Sequence, residues 1–424
     1  MLDADVAVVG AGPAGTAAAI HAARRGLRVA LFDRARFPRD KCCGDGLTTL
    51  ALRELEDLGF DPATVASWVD VHEAVLRAPS GREVHLPLPP PSQGRFAAVA
   101  ARRDLDAALV DLARAAGVEV HEGAALADAD GAAADHIALH VEGHGTVRAA
   151  YAIGADGMWS PLRRALGADH PGYRGEWHAF RQYVRTSEPT ARQLWVWFDA
   201  DLLPGYAWSF PLPDGRANVG FGVLRGGRWR VREMAALWRD VLARPHVRAV
   251  LGPDAELEET HRAWPIPARV DEVVLTRGRA LFVGDAAAAA DVLTGEGIGQ
   301  ALLTGRLAAE AVHAAGPQRA DAARAGYERA VRAALHADHR LSAGLGRLLQ
   351  GRRTTDAVLA LVDASGWTRA NFARWMFEDE PRAVLATPRR WHRHLLRRPG
   401  PRLAPAAGRS EASPPGHAPV TAAP

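Results

Sequence analysis

Four stretches of this chain hold residues whose types and spacing suit chemistry. The first is Gly10-Ala11-Gly12-Pro13-Ala14-Gly15. It follows the apolar run Asp5-Val6-Ala7-Val8-Val9 and precedes Ala-rich, helix-forming sequence at 16–25. A second apolar run, Val29-Ala30-Leu31-Phe32, ends on Asp33. Strand, glycine turn, helix, strand and terminal acid make the dinucleotide fingerprint in its proper context. Gly10 permits the tight turn, Gly12 brings backbone N–H groups to a pyrophosphate, and Gly15 lets helix and strand pack closely. The helix N-terminus favours phosphate, and Asp33 stands where a carboxylate holds ribose hydroxyls.

The second feature is the return of that pattern. Tyr151-Ala152-Ile153 runs into Gly154-Ala155-Asp156-Gly157, and residues 279–283 run into Gly284-Asp285. A loop at 291–299 then carries Gly295, Gly297 and Gly299 before helical sequence at 300–314. Acids and glycine turns at strand ends, far apart in the chain, converge on one long cofactor. The third stretch is Arg36 to Leu47, which contains Lys41-Cys42-Cys43-Gly44-Asp45-Gly46. A thiol beside a lysine in a Gly-rich loop reads as a reactive group or as a buried thiol with an ion-paired lysine. Arg102, before helical sequence at 103–116, reads as a cofactor contact or a surface charge. The fourth is Tyr206-Ala207-Trp208-Ser209-Phe210-Pro211. Alternation puts Tyr206, Trp208 and Phe210 on one face of one strand, either as core or as one wall of an apolar pocket.

The elements that must position these residues follow from the rest of the pattern. Strand–helix–strand units and a meander at 126–150 place a parallel sheet within 1–170. Strands at 180–185, 194–198, 206–211, 217–223 and 261–267, with a helix at 229–244, make a second, mixed or antiparallel sheet domain over 171–272. The first domain resumes over 273–330, and 331–398 is helical. Residues 399–424 are rich in Pro, Ala, Gly and Ser and read as a disordered tail. The fold class is therefore α/β (α+β), Rossmann-like, with a second sheet and a helical C-terminal region.

Bulk properties narrow the function. The chain has 424 residues, enough for two or three domains and a large core. Its net charge of +3 implies no nucleic-acid-type field. Two adjacent cysteines form no disulfide framework and suit a reducing compartment. No leader precedes the first strand and no apolar run reaches the about 18 residues that span a bilayer. A cytoplasmic location, or a peripheral one at the inner face of the cell membrane, is expected, and the basic, apolar-interleaved segment 389–398 reads as a membrane-surface contact or as a solvated terminal helix.

On these motifs the chain resembles the geranylgeranyl reductase family, within the flavoproteins shaped like p-hydroxybenzoate hydroxylase. The resemblance covers about residues 3 to 330. The Gly10–Gly15, Asp156-Gly157 and Gly284-Asp285 motifs are common to the superfamily. The Lys41-to-Gly46 loop looks like the family's Lys-x-Cys-Gly-Asp-Gly loop, and Tyr206 to Pro211 looks like its Tyr-x-Trp-x-Phe-Pro motif. Leu203-Pro204-Gly205-Tyr206 resembles its quinone-side-chain variety, the menaquinone reductases. Val292 and Cys42 stand where members often have Pro.

The resemblance implies FAD, held by Ala14, Asp33, Cys43, Gly44, Gly46, Arg102 and the backbone near Ala124. It adds Asp285, Gly297 and Ile298, beside the glycines and acids named above. It also implies hydrogenation of isoprenoid double bonds by hydride from the reduced flavin. Tyr206, Trp208, Phe210, Pro211, Trp195 and Trp197 are the candidate lining for an isoprenoid tail. Cys43 is the candidate proton donor, beside bound water. No second dinucleotide motif appears, so electrons come from NAD(P)H binding transiently or from a small redox protein. No metal site is expected. A flavin monooxygenase or halogenase is the competing enzyme reading, although Tyr206 and Phe210 depart from the halogenase Trp-x-Trp-x-Ile-Pro strand. A flavin-bound lipid carrier is the non-enzymatic one.

Overall fold

A computed structural model describes residues 3–89 and 94–391. The chain starts as the fingerprint requires, with β1 (Ala4–Val9), α1 (Pro13–Ala23) and β2 (Val29–Asp33). The helix begins inside the glycine turn because Pro13 at its first position has the right φ and no N–H to satisfy. The Cys43 loop leads to β3 (Gly46–Leu47) and α2 (Thr49–Asp57). Next come β4 (Val69–Asp70), the hairpin β5 (Glu73–Arg77) and β6 (Glu83–Pro87), β7 (Ala98–Val99) and α3 (Arg102–Ala115). Then β8 (Glu119–Glu122), β9 (Leu126–Asp130), β10 (Ile137–Val141), β11 (Gly145–Gly154) and α4 (Pro161–Ala165) complete the first part.

The meander and the strand at 151–154 are one element rather than two. The exposed first half of β11 pairs antiparallel with β10, and its buried second half lies parallel to β1. The side-chain pattern changes midway because both faces of the second half are covered.

The second sheet contains β12 (Trp177–Arg185), β13 (Leu194–Trp197), β14 (Tyr206–Leu212) and β15 (Arg216–Leu224). Helices α5 (Met234–Ala243) and α6 (Pro245–Leu251) and strand β16 (Glu256–Ile266) follow. The helix expected over 229–244 starts only at Met234, after a 3-10 turn at Val231–Glu233, and ends at Ala243, because Arg244 precedes Pro245 and is extended. The chain then returns through β17 (Thr276–Arg277) and β18 (Ala280–Phe282) to the long α7 (Ile298–Ala315).

The first sheet runs β17-β18-β11-β1-β2-β8, with β10 also paired to β11 and β9 to β10. The second runs β16-β12-β15-β14-β13-β5-β6. The hairpin at 73–87 thus belongs to the second sheet, through a parallel pairing of β5 with β13. Non-local pairing of this kind leaves no trace in local periodicity. Helices α8 (Ala320–Val331), α9 (Ala337–Leu348), α10 (Arg352–Val362) and α11 (Gly366–Met376) finish the described chain, with a π turn at 332–336 joining α8 to α9. The end of α11 folds back onto α2, where Thr49 N–H donates to Phe377 O at 2.7 Å.

Within 389–398 only 389–391 are described. There Arg390 is tied to Asp338 at 2.8 Å and to backbone carbonyls of the π turn. Residues 392–398 and the 399–424 tail lie outside the described residues. Among the described residues, no helix is long and apolar enough to cross a membrane, and no cluster of His, Cys, Asp and Glu suits a metal ion.

Candidate functional site

The carboxyl ends of β1, β2, β11 and β18 open on one cavity of about 690 Å³. That is within the usual range of small-molecule and cofactor pockets. Gly10, Gly12, Ala14, Asp33, Cys43, Gly44, Gly46, Arg102 and Ala124 line it, as do Asp156, Gly284, Asp285, Gly295, Gly297 and Ile298. Gly15 lies behind the wall. A Cβ there would sit 1.8 Å from Gly10 O, so only glycine allows α1 to close on the turn.

Gly12 faces an anion cradle. Arg39 and Arg102 guanidinium nitrogens lie 3.6 and 3.8 Å from where its Cβ would be, at the N-terminus of α1. Asp106 aims both arginines, pairing with Arg102 at 2.7 and 2.8 Å and with Arg39 at 2.9 Å. Burial opposes the charge on Arg102, but Asp106 outweighs it and keeps the guanidinium fully charged. Asp33 accepts from Ala11 N–H at 2.7 Å and Ala35 N–H at 2.8 Å, bracing the turn from the cavity wall. Asp156 accepts from Leu162 N–H at 2.9 Å, and its second oxygen has no hydrogen-bond partner in the described structure. Burial raises its pKa to about 6.

In the Lys41–Cys43 loop both cysteines are half-buried on the cavity wall, and the lysine is ion-paired. Lys41 Nζ lies 3.9 Å from Asp285 Oδ2 and 3.9 Å from the centre of the Trp264 ring. Burial pushes the Cys42 thiol up to about 11 and raises Cys43 as well, so both are protonated at neutral pH. Asp45 clamps the loop to the second sheet. It sits in left-handed backbone, φ +65°, and accepts from Tyr183 OH at 2.9 Å, Asn218 Nδ2 at 2.7 Å and Arg102 N–H at 3.2 Å. Burial is the main cause that lifts its carboxyl to about 6. Asn218 also donates to Cys43 O at 2.8 Å and accepts from Trp208 Nε1 at 3.1 Å. A lone Asn in a strand gives no warning of this in sequence.

Tyr206, Trp208 and Phe210 share one face as their alternation predicts, and that face lines the cavity. Gly220 stands opposite Trp208 in register, and a Cβ there would lie 2.4 Å from the indole. Phe210 reaches within 3.1 Å of the Cβ position of Gly46. Tyr206 OH donates to Thr294 O, and Trp177 Nε1 to Val292 O at 2.9 Å.

Three expected lining residues lie elsewhere. Trp195 pairs with Ser209 and Trp197 with Ala207, so both indoles point to the opposite face. They pack with Trp238 and Met234 of α5 in the core. Pro211 alternates out of the cavity for the same reason and is buried opposite Ala217.

A sequence profile described as an FAD binding domain matches residues 3–335. The menaquinone reductase of Mycolicibacterium smegmatis is 36% identical over 335 residues, covering 74% of this chain and 77% of that one. The chain belongs to the geranylgeranyl reductase family of FAD-dependent oxidoreductases. The Mycobacterium tuberculosis menaquinone reductase is 35% identical to this flavoprotein over 72% of its length and 76% of the relative's. A digeranylgeranylglycerophospholipid reductase of Methanopyrus kandleri is 33% identical over 73% and 76%.

Among solved structures, a geranylgeranyl bacteriochlorophyll reductase-like protein from Thermoplasma acidophilum superposes with a TM-score of 0.76. It is 23% identical, covering 90% of this chain and 98% of that one. The flavin-dependent halogenase CmlS gives 0.67 at 22% identity, covering 89% and 72%. These two likenesses establish the flavoprotein fold. The flavoprotein binds FAD, and the anion cradle and glycine turns suit its diphosphate.

Proposed function

We propose that this flavoprotein saturates carbon–carbon double bonds in an isoprenoid chain, with a menaquinone-type side chain as the leading substrate class. One observation carries the reading. The ring-bearing face of β14 lines the same cavity as the glycine turns and the Cys43 loop. A greasy tail laid on Tyr206, Trp208 and Phe210 therefore runs into the cofactor site. Each buried CH₂ contributes about 0.8 kcal/mol, so several isoprene units bind through area alone. The curated relatives named above support the substrate class.

Gly10, Gly12, Arg39 and Arg102 would hold the diphosphate of FAD. Asp33 and Asp285 would face its ribityl and ribose hydroxyls. The backbone of Gly297, at the N-terminus of α7, would face the flavin ring, where partial positive charge favours the reduced anion, while the Ile298 N–H is held by Glu296 Oε1. When bound and reduced, FAD supplies the hydride that the alkene needs. The chain's own part is to orient the tail on the aromatic strand, to exclude water with that strand, and to keep protonated donors at the cavity wall.

The test is incubation of the FAD-loaded protein with menaquinone and a chemical reductant, with and without oxygen, followed by reoxidation of the quinol head group and mass spectrometry. A gain of two hydrogens per reduced bond is expected. Product that requires oxygen and gains an oxygen atom would replace this reading with a monooxygenase.

A further inference from the structure

Glu296 lies between Gly295 and Gly297 in the turn that feeds α7, and it lines the large cavity. Its Oε1 accepts from the backbone N–H groups of Ile298 at 3.0 Å and Gly299 at 3.1 Å. Its Oε2 makes no hydrogen bond among the described residues and is not sealed away from the cavity. Titratable and charged groups face it from every side. Tyr206 comes from β14, Cys43 from the loop after β2, and Asp291 from its own turn. Glu378 and Arg382 come from the segment after α11.

Glu378 accepts from Gln300 Nε2 at 3.0 Å and Thr48 Oγ1 at 2.9 Å. It lines a second cavity of about 350 Å³, walled by charged and polar side chains including Asp291, Asp338, His339 and Arg382. That cavity is polar and roomy enough for water. Burial first, then the neighbouring Glu378, lifts the Glu296 carboxyl to about 8. It therefore carries a proton at neutral pH, near the operating range where a general acid is most effective.

We infer that Glu296 is the catalytic proton donor of double-bond reduction, and that Glu378 is a positioning residue linking it to the polar second cavity. The inference rests on the isoprenoid reading above. One alkene carbon receives hydride from the reduced flavin, which a nicotinamide or a small redox protein recharges. The other carbon receives the Glu296 proton. The π bond, the N–H bond of the hydride donor and the Glu296 O–H bond break, and two C–H bonds form. The alkene is reduced at the expense of the flavin, and Glu296 is left as a carboxylate. It regains a proton from water through the second cavity. Cys43, also protonated and on the cavity wall, is the competing donor.

The experiment compares FAD-loaded wild type, Glu296→Gln, Cys43→Ala and Glu378→Gln by single-turnover reduction of menaquinone across pH, with infrared spectra of each. Glutamine keeps an acceptor for Ile298 and Gly299, so FAD content should be unchanged. Glu296→Gln should slow the turnover about 100-fold or more and erase a protonated-carboxyl band that titrates near pH 8 in the wild type. Cys43→Ala should keep the protonated-carboxyl band and the alkaline midpoint of the wild type, whatever its effect on the rate. Glu378→Gln removes a like charge and should move the alkaline midpoint downward.

A Glu296→Gln variant with wild-type rate and pH profile, or a wild-type spectrum without that band, would overturn the donor role alone. Loss of turnover in Cys43→Ala with Glu296→Gln active would give the role to the thiol. An unmoved midpoint in Glu378→Gln would remove the coupling. A wild type with the band but no reduction of any isoprenoid would sink the functional reading and the donor role with it.

Discussion

Asn218 shows how a single side chain joins the Cys43 loop to the aromatic strand β14. It bonds Asp45, the Cys43 carbonyl and the Trp208 indole at once. Asn218→Ala leaves three buried partners short of one bond each, a loss of about 1–3 kcal/mol per group left unsatisfied. Urea unfolding should show a loss of at least that size, together with a raised KM for the lipid. Phe210→Ala should weaken tail binding by about 1.5–3 kcal/mol, or roughly 10- to 150-fold in Kd. Trp195→Leu should cost stability without changing that Kd, because its ring faces α5 rather than the cavity. Titration of dissolved menaquinone against intrinsic fluorescence separates the two.

The same scale carries a pH dependence. Asp45 and Asp156 rise from 3.8 to about 6, and Glu296 from 4.5 to about 8, on folding. Between those values the folded chain keeps protons that the unfolded chain has lost. Each group's contribution to stability therefore falls as pH rises through that window. The Glu296→Gln variant should lose less stability than wild type between pH 5 and pH 8, as read from urea midpoints.

At the scale of the element, β14 and β15 act as a pair. The indole of Trp208 fits only because Gly220 opposite it lacks a side chain. A Gly220→Val substitution would press on the indole and on Phe180 O, which lies 2.3 Å from the Cβ position. About 1–3 kcal/mol of overpacking strain follows, and the ring must swing into the slot. Lipid reduction should fall while FAD content is retained, measured by flavin absorbance per chain.

The alternation of β14 was legible from its residues alone. The misplacement of Trp195 and Trp197 arose because one strand's periodicity gives two faces but not which face meets the cavity. That choice was made by the register with β13 and by the helices α5 and α6 behind it.

Across the whole molecule, the C-terminal region locks the loop that feeds α7. Arg382 is buried and pairs with Asp291 at 3.3 Å and Glu378 at 3.5 Å. Asp291 in turn accepts from Leu293, Thr294 and Ser342. An Arg382→Met substitution leaves buried acids without their cation and should cost about 3–5 kcal/mol. It should also weaken FAD retention during gel filtration, because the turn from 291 to 297 forms part of the cavity wall. The sequence by itself determined the cofactor-binding core, since glycine turns and strand-end acids act through local backbone geometry that recurs at fixed spacing. It also determined the aromatic face, for the same reason. Only the tertiary structure decided that the 73–87 hairpin joins the second sheet, that Asn218 and Asp45 clamp the Cys43 loop, and that Glu378 meets Thr48 and Gln300. Those contacts link residues up to 175 positions apart in the case of the clamp, and no local pattern encodes a pairing whose partners meet only when the layers close.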